Sequence, residues 1–111
     1  MAQRRELMKG SAASLLLGLL GQQPMYGYQI IKELERKSQG YFKFKEGTLY
    51  PALHRLEGAG LIIGKWQVLS NGRHRRYYHI TEKGCLFLEE KRTQWQEFLA
   101  ATNLIMQPIN I

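Results

Sequence analysis

Three segments of helical periodicity, two β-rich runs joined at an Asn-Gly turn and a last amphipathic helix predict a mainly α chain with a small β-hairpin. Helices closed by such a hairpin make a winged helix-turn-helix, here followed by one C-terminal helix. The 111 residues suffice for one modest core. The natural division is a winged-helix domain over 1–80 and a C-terminal helix and tail over 81–111.

Met8, Ala12, Leu15, Leu16 and Leu19 recur at helical spacing, so residues 4–21 read as a helix with one apolar face. Gly21-Gln22-Gln23-Pro24 stops it. A second helix follows at about 26–37, with Gly27, Ile30, Ile31 and Leu34 inward and Gln29, Lys32, Glu33 and Arg36 outward. Tyr41-Phe42-Lys43-Phe44-Lys45 alternates apolar and basic, which suits a very short strand or an extended linker. A third helix begins near Gly47 or Thr48, because Pro51 is tolerated only near a helix start. Leu49, Leu53 and Leu56 form its buried stripe, and Gly58-Ala59-Gly60 ends it.

Residues 61–69 and 74–80 are rich in β-branched and aromatic side chains, with Ser70-Asn71-Gly72-Arg73 between them. Asn-Gly as a two-residue turn sets Trp66 opposite Tyr77 and Val68 opposite Arg75. Thr81 reads as an N-cap, with Glu82 favourably placed on the helix dipole. The last helix runs to about Asn103. Leu88, Trp95, Leu99 and Thr102 share one face, with Phe98 and Ile105 beside it, and the end around Pro108 reads as frayed. So small a domain cannot cover that apolar stripe alone, which predicts a twofold partner and makes Leu88, Trp95, Phe98, Leu99 and Thr102 the dimerisation set.

Charge points to the partner. The chain carries +7 overall, and residues 61–80 hold four of the bases, Lys65, Arg73, Arg75 and Arg76, with no acid. Residues 81–111 have three bases against four acids. A short phosphate-binding surface followed by a protein-contacting segment has this distribution. Once the leucine stripe of the third helix is assigned to the core, Thr48, Tyr50, Pro51, His54 and Arg55 are left to face double-stranded DNA. Asn71, Gly72, Arg73, His74, Arg75 and Arg76 form a basic wing, and Lys43 and Lys45 are supporting phosphate contacts. For either group alone, a solvated surface is the simpler alternative. Four basic or titratable residues in a row beside a candidate recognition helix favour nucleic acid. A winged-helix module that binds a protein partner or RNA is the alternative reading.

Catalysis lacks a constellation: the chain has no Asp, three His tied to helix and wing, no Gly-rich phosphate loop and no metal-ligand cluster. No cofactor is expected. The lone cysteine, Cys85, excludes an intrachain disulfide, fits a reducing cytoplasm and reads as a small buried apolar residue. No apolar run reaches the length of a membrane span. Arg4 and Arg5 precede an apolar stretch, but Glu6 and the lack of a small-x-small site argue against a leader peptide.

The motifs G-Y-Q-I at Gly27–Ile30, G-T-L-Y-P-A-L-H-R-L-E at Gly47–Glu57, G-L-I at Gly60–Ile62 and R-R-Y-Y-H-I-T-E-K-G at Arg75–Gly84 resemble the PadR family of bacterial transcription regulators. The third-helix motif is the specific one. The resemblance spans about residues 8–100 and is to the shorter members, with a single C-terminal helix. It implies a homodimeric winged-helix repressor that binds an inverted repeat, with the last helix packed on its partner. It also implies a DNA-facing role for Tyr50 and its neighbours and for the wing at Arg73–Arg76. Some members respond to aromatic small molecules, and Trp95 approximately matches a tryptophan that lines a pore between subunits in one type. The alternative for Trp95 is a dimer-core residue that touches no ligand.

Overall fold

The structure is a computed structural model that describes the backbone of residues 2–110 and the side chains of residues 11–110. The expectations on Arg4, Arg5, Glu6 and Met8 lie outside the described side chains. The element order is α1 (Ala2–Leu20), β1 (Met25–Tyr26), α2 (Gly27–Lys37), α3 (Glu46–Gly58), β2 (Ile62–Val68), β3 (His74–Ile80) and α4 (Glu82–Ile105). Four helices and a small sheet make the predicted winged helix-turn-helix with its extra C-terminal helix.

The end of α1 is more central than one apolar face suggests. Leu16, Leu17, Leu19 and Leu20 are all buried, so the last turn is enclosed on most of its circumference. Around it pack Ile30 and Leu34 of α2, Leu49, Ala52, Leu53 and Leu56 of α3, and Ile62 and Tyr78 of the sheet. The i, i+4, i+7 leucines of α3 are therefore committed to the core, as their spacing predicts.

Three local expectations are corrected. Of the two alternatives for residues 41–45 the strand is excluded and the linker holds, with Phe44 buried and Phe42 half-buried, plugging the core from the side. The short strand is instead Met25–Tyr26, which pairs with Tyr78 and Tyr77 and completes a sheet of order β1-β3-β2. Its strand partners are distant in sequence, so no local pattern marks it. Helix α3 starts earlier than Pro51 suggested: the Lys45 carbonyl accepts from Thr48 N–H at 3.0 Å and Leu49 N–H at 2.9 Å. Pro51 thus sits in the second turn on the exposed side, and Gly47, whose carbonyl it deprives of an i+4 donor, is exposed as well.

The hairpin register is the third correction. Trp66 lies opposite Arg76 and Val68 opposite His74, one residue away from the expected pairing. The loop holds three residues, not two. Leu69 N–H donates to the Arg73 carbonyl at 2.7 Å, and Gly72 N–H donates back to the Leu69 carbonyl at 2.9 Å. Among the loop residues only Gly72 has positive φ, at 83°, so this is a type I turn closed by a left-handed glycine and not the two-residue mirror turn. Asn71 accepts the Arg73 N–H on its side-chain oxygen at 3.0 Å, an Asx bond that holds the turn.

Thr81 caps α4 as predicted, accepting the Gly84 N–H at 3.0 Å. Its hydroxyl also donates to the Gly60 carbonyl at 2.7 Å, and Lys83 Nζ donates to the Ala59 carbonyl at 2.9 Å. The start of α4 is therefore tied to the end of α3. Cys85, expected to be buried, is exposed on α4.

Candidate nucleic-acid interface

The face of α3 opposite its leucines is open. Thr48, Tyr50, Pro51, His54 and Arg55 are all exposed. Tyr50 leans toward α2: its hydroxyl occupies the space that a Cβ on Gly27 would need. A glycine at the start of α2 thus lets the two helices approach and fixes where the Tyr50 ring emerges.

The wing lies beside this face, but its basic residues are not equivalent. Arg73 and His74 are exposed at the tip, which Asn71 and Gly72 shape. The Arg75 guanidinium stacks over the Tyr26 ring at 3.9 Å, and Tyr26 meets Tyr77 edge-on at 5.4 Å. Such stacking limits the side chain's freedom while leaving its charge in place. Arg76 is half-buried and turns to α3, where its Nη2 lies 2.6 Å from the Glu57 carboxylate. Lys45 is the N-cap of α3 and Lys43 precedes it, both exposed.

Sequence reasoning passed over two aromatic residues here. Tyr28, at the start of α2, is 59% exposed, and Trp66, on β2, is 64% exposed. With Tyr50, His74, Arg75 and Arg76 they line a cleft of about 450 Å³ between α2, α3 and the wing. Lys32 Nζ lies 5.3 Å from the centre of the Tyr28 ring, which adds a cation at the cleft's α2 side. No sequence signal marks them, because exposure is set by the fold and singly exposed aromatics are common. In the sequence Tyr28 is one letter of the G-Y-Q-I motif and Trp66 one of several strand formers. Burial raises the Tyr78 hydroxyl above the usual phenol range; Tyr50 and Glu57 add to the rise and Arg76 opposes it. Tyr78 therefore stays neutral at the floor of the wing.

The sequence profile of the transcriptional regulator PadR-like family matches residues 16–90. The chain belongs to this family. A transcriptional regulator of Mycobacterium tuberculosis is 36% identical over 93 residues, covering 84% of this chain and 83% of the relative. An uncharacterised protein of Lysinibacillus sphaericus is 33% identical over 104 residues, covering 94% and 95%. Among solved structures, a PadR-like transcriptional regulator from Bacillus cereus superposes with a TM-score of 0.83 at 33% identity, over 94% of this chain and 99% of that one. A transcriptional regulator from Clostridium thermocellum gives 0.82 at 29% identity, over 92% and 99%.

This PadR-family chain is accordingly a winged-helix, DNA-binding transcription regulator of a family that is not enzymatic. No helix among the described residues is long and apolar enough to cross a membrane. Away from the wing, α4 carries the residues expected at a dimer seam, and they divide. Trp95, Phe98 and Leu99 are exposed, with Trp95 and Phe98 edge-on at 5.6 Å. Leu88 packs on the chain's own core near Gly21, and Thr102 is half-buried. Trp95 also borders a groove of about 650 Å³ between α1 and α4, with Leu15, Leu19, Leu34, Phe42 and Leu88 on its walls.

Proposed function

We propose that this regulator is a homodimeric repressor that binds an inverted-repeat operator, with α3 reading the major groove and the wing gripping flanking phosphate. The observation that carries this reading is the position of Thr48, Tyr50, Pro51, His54 and Arg55 on one open face beside the exposed Arg73 and His74. That arrangement gives base-edge donors on a helix and cationic donors on a hairpin next to it. Asn71 and Gly72 shape the tip, Arg75 adds a stacked charge, and Lys43 and Lys45 contact phosphate at the entry to α3.

Dimerisation through α4, with residues 1–80 as the DNA-binding part and 81–111 as the dimerisation part, is supported by shape and surface. The radius of gyration is 16.3 Å, against about 13 Å for a compact domain of this length. The excess marks an elongated chain, and on α4 the side chains of Trp95, Phe98 and Leu99 are left exposed. A twofold axis through these residues would set two copies of α3 about 34–36 Å apart, one turn of DNA. An aromatic small molecule seated against Trp95 would act by changing the angle between subunits, carried to α3 through the Thr81–Gly60 and Lys83–Ala59 bonds.

Titrating flat aromatic ligands while following Trp fluorescence and operator binding tests the effector step. Ligands that quench fluorescence should also weaken operator binding, and quenching with unchanged operator affinity would refute that step. Reversing charge at Arg73 and Arg75 should weaken binding to all sequences, whereas changing His54 or Arg55 should alter sequence preference. Unchanged footprints from these variants would refute the site.

A further inference from the structure

We propose that Glu57 and Arg76 are positioning residues: their ion pair locks the wing to the recognition helix, so that Arg76 serves DNA binding through Glu57 and not through a phosphate. This rests on the reading of α3 and the wing as the DNA-binding surface. Glu57 is the last acid of α3, and one of its oxygens takes two bonds. Arg76 Nη2 of β3 donates to it at 2.6 Å, and the backbone N–H of Gly64 on β2 donates to it at 3.1 Å. One carboxylate thereby holds both strands of the hairpin against one helix.

The rest of the arrangement is built around the Arg76 guanidinium. It lies 5.7 Å from the centre of the Trp66 ring and 5.8 Å from that of Tyr78, both within cation–π range. A Cβ on Gly64 would collide with the guanidinium, so the absence of a side chain there is what admits Arg76 to the strand surface. Both members of the pair are about one-third exposed. A carboxylate at hydrogen-bond distance offsets the charge that a phosphate contact would draw on. Arg76 has a carboxylate at hydrogen-bond distance and two aromatic neighbours, while Arg73 is exposed at the tip.

Wing position matters because the hairpin and α3 must meet the duplex together, and a small misplacement of one contact surface forfeits affinity in the other. Electrostatics alone predicts the opposite outcome for loss of the acid. Removing a negative charge beside DNA and freeing an arginine should tighten binding and steepen its salt dependence by about one phosphate's worth. The two accounts therefore differ in sign.

The test uses the full chain, with Glu57→Gln, Arg76→Gln and the double variant, on a duplex selected from genomic DNA by the wild-type protein. The lock predicts that each single variant binds about tenfold more weakly, the loss expected when one charge-assisted hydrogen bond is given up. It predicts an unchanged slope of log affinity against log salt, and a double variant no worse than either single one. Tighter binding and a steeper slope for Glu57→Gln would overturn it, as would a slope shallower by about 0.9 for Arg76→Gln. Hydrogen exchange in the DNA-free protein is the second arm. The Gly64 amide should exchange at least several-fold faster in Glu57→Gln while the core amides of α1 keep their protection; unchanged exchange at Gly64 would refute the lock whether or not the duplex binds. A wild-type protein that binds no selected duplex would refute the DNA-binding surface and leave the exchange result to decide the lock.

Discussion

Replacing Phe98 should separate the two protomers of the proposed dimer without unfolding either. Phe98 is 59% exposed in the single chain, which corresponds to about 100 Å² of ring on the scale of 150–250 Å² that an aromatic side chain can bury. Covering that area is worth about 2.5 kcal/mol at 25 cal/mol per Å². A twofold interface uses the residue twice, so Phe98→Ala should weaken association by up to about 5 kcal/mol, more than a thousandfold in Kd. Phe98→Glu should go further, since two carboxylates would have to be desolvated at the seam. The core is elsewhere, among α1, α2, α3 and the sheet, so the variant should keep its helical circular dichroism. Sedimentation equilibrium across a concentration series gives the dissociation constant directly. A Phe98→Glu protein that remains dimeric at the lowest measurable concentration would refute α4 as the seam.

Other expectations follow from the same contacts. Leu53→Ala should cost about 2–5 kcal/mol in urea unfolding, because Leu53 is only 1% exposed within the core, while the exposed Arg55→Ala should change stability by less than about 0.5 kcal/mol and still weaken operator binding. Gly64→Ala should lower the melting temperature and loosen the wing, since the added methyl group displaces the Arg76 guanidinium; a variant with wild-type melting and wild-type exchange at the hairpin would contradict that placement. Thr81→Ala removes the cap of α4 and its bond to Gly60, a loss of about 1 kcal/mol to be read by chemical denaturation.

What the sequence made legible was whatever rests on local periodicity or a local cap. The α3 leucines, the two long strands and the Thr81 cap are all written within a few residues of where they act. The turn departs from expectation because Asn-Gly fits two geometries. Here Asn71 keeps negative φ and spends its side chain on the Arg73 N–H, which adds a residue to the loop and moves every cross-strand pair by one. Strand β1 was missed because two residues carry no periodicity and its partner lies some fifty positions away. The same distance problem hid the Glu57–Arg76 pair. Residues 61–80 contain no acid, so the wing read as uniformly free charge, yet the fold delivers an acid to it from α3. Leu88 and Trp95 share a helical face, but Leu88 packs on its own chain's core, whereas Trp95 borders the open groove beside α1 and stays 43% exposed.

The most direct test of the DNA-reading surface is a competition titration at physiological salt, with a duplex recovered from genomic fragments by the purified protein set against random duplex of the same length. A helix reading bases beside a phosphate-gripping wing predicts at least about a thousandfold preference for the selected duplex, with protection of two half-sites one helical turn apart. Equal affinity for selected duplex, random duplex and other polyanions would contradict it.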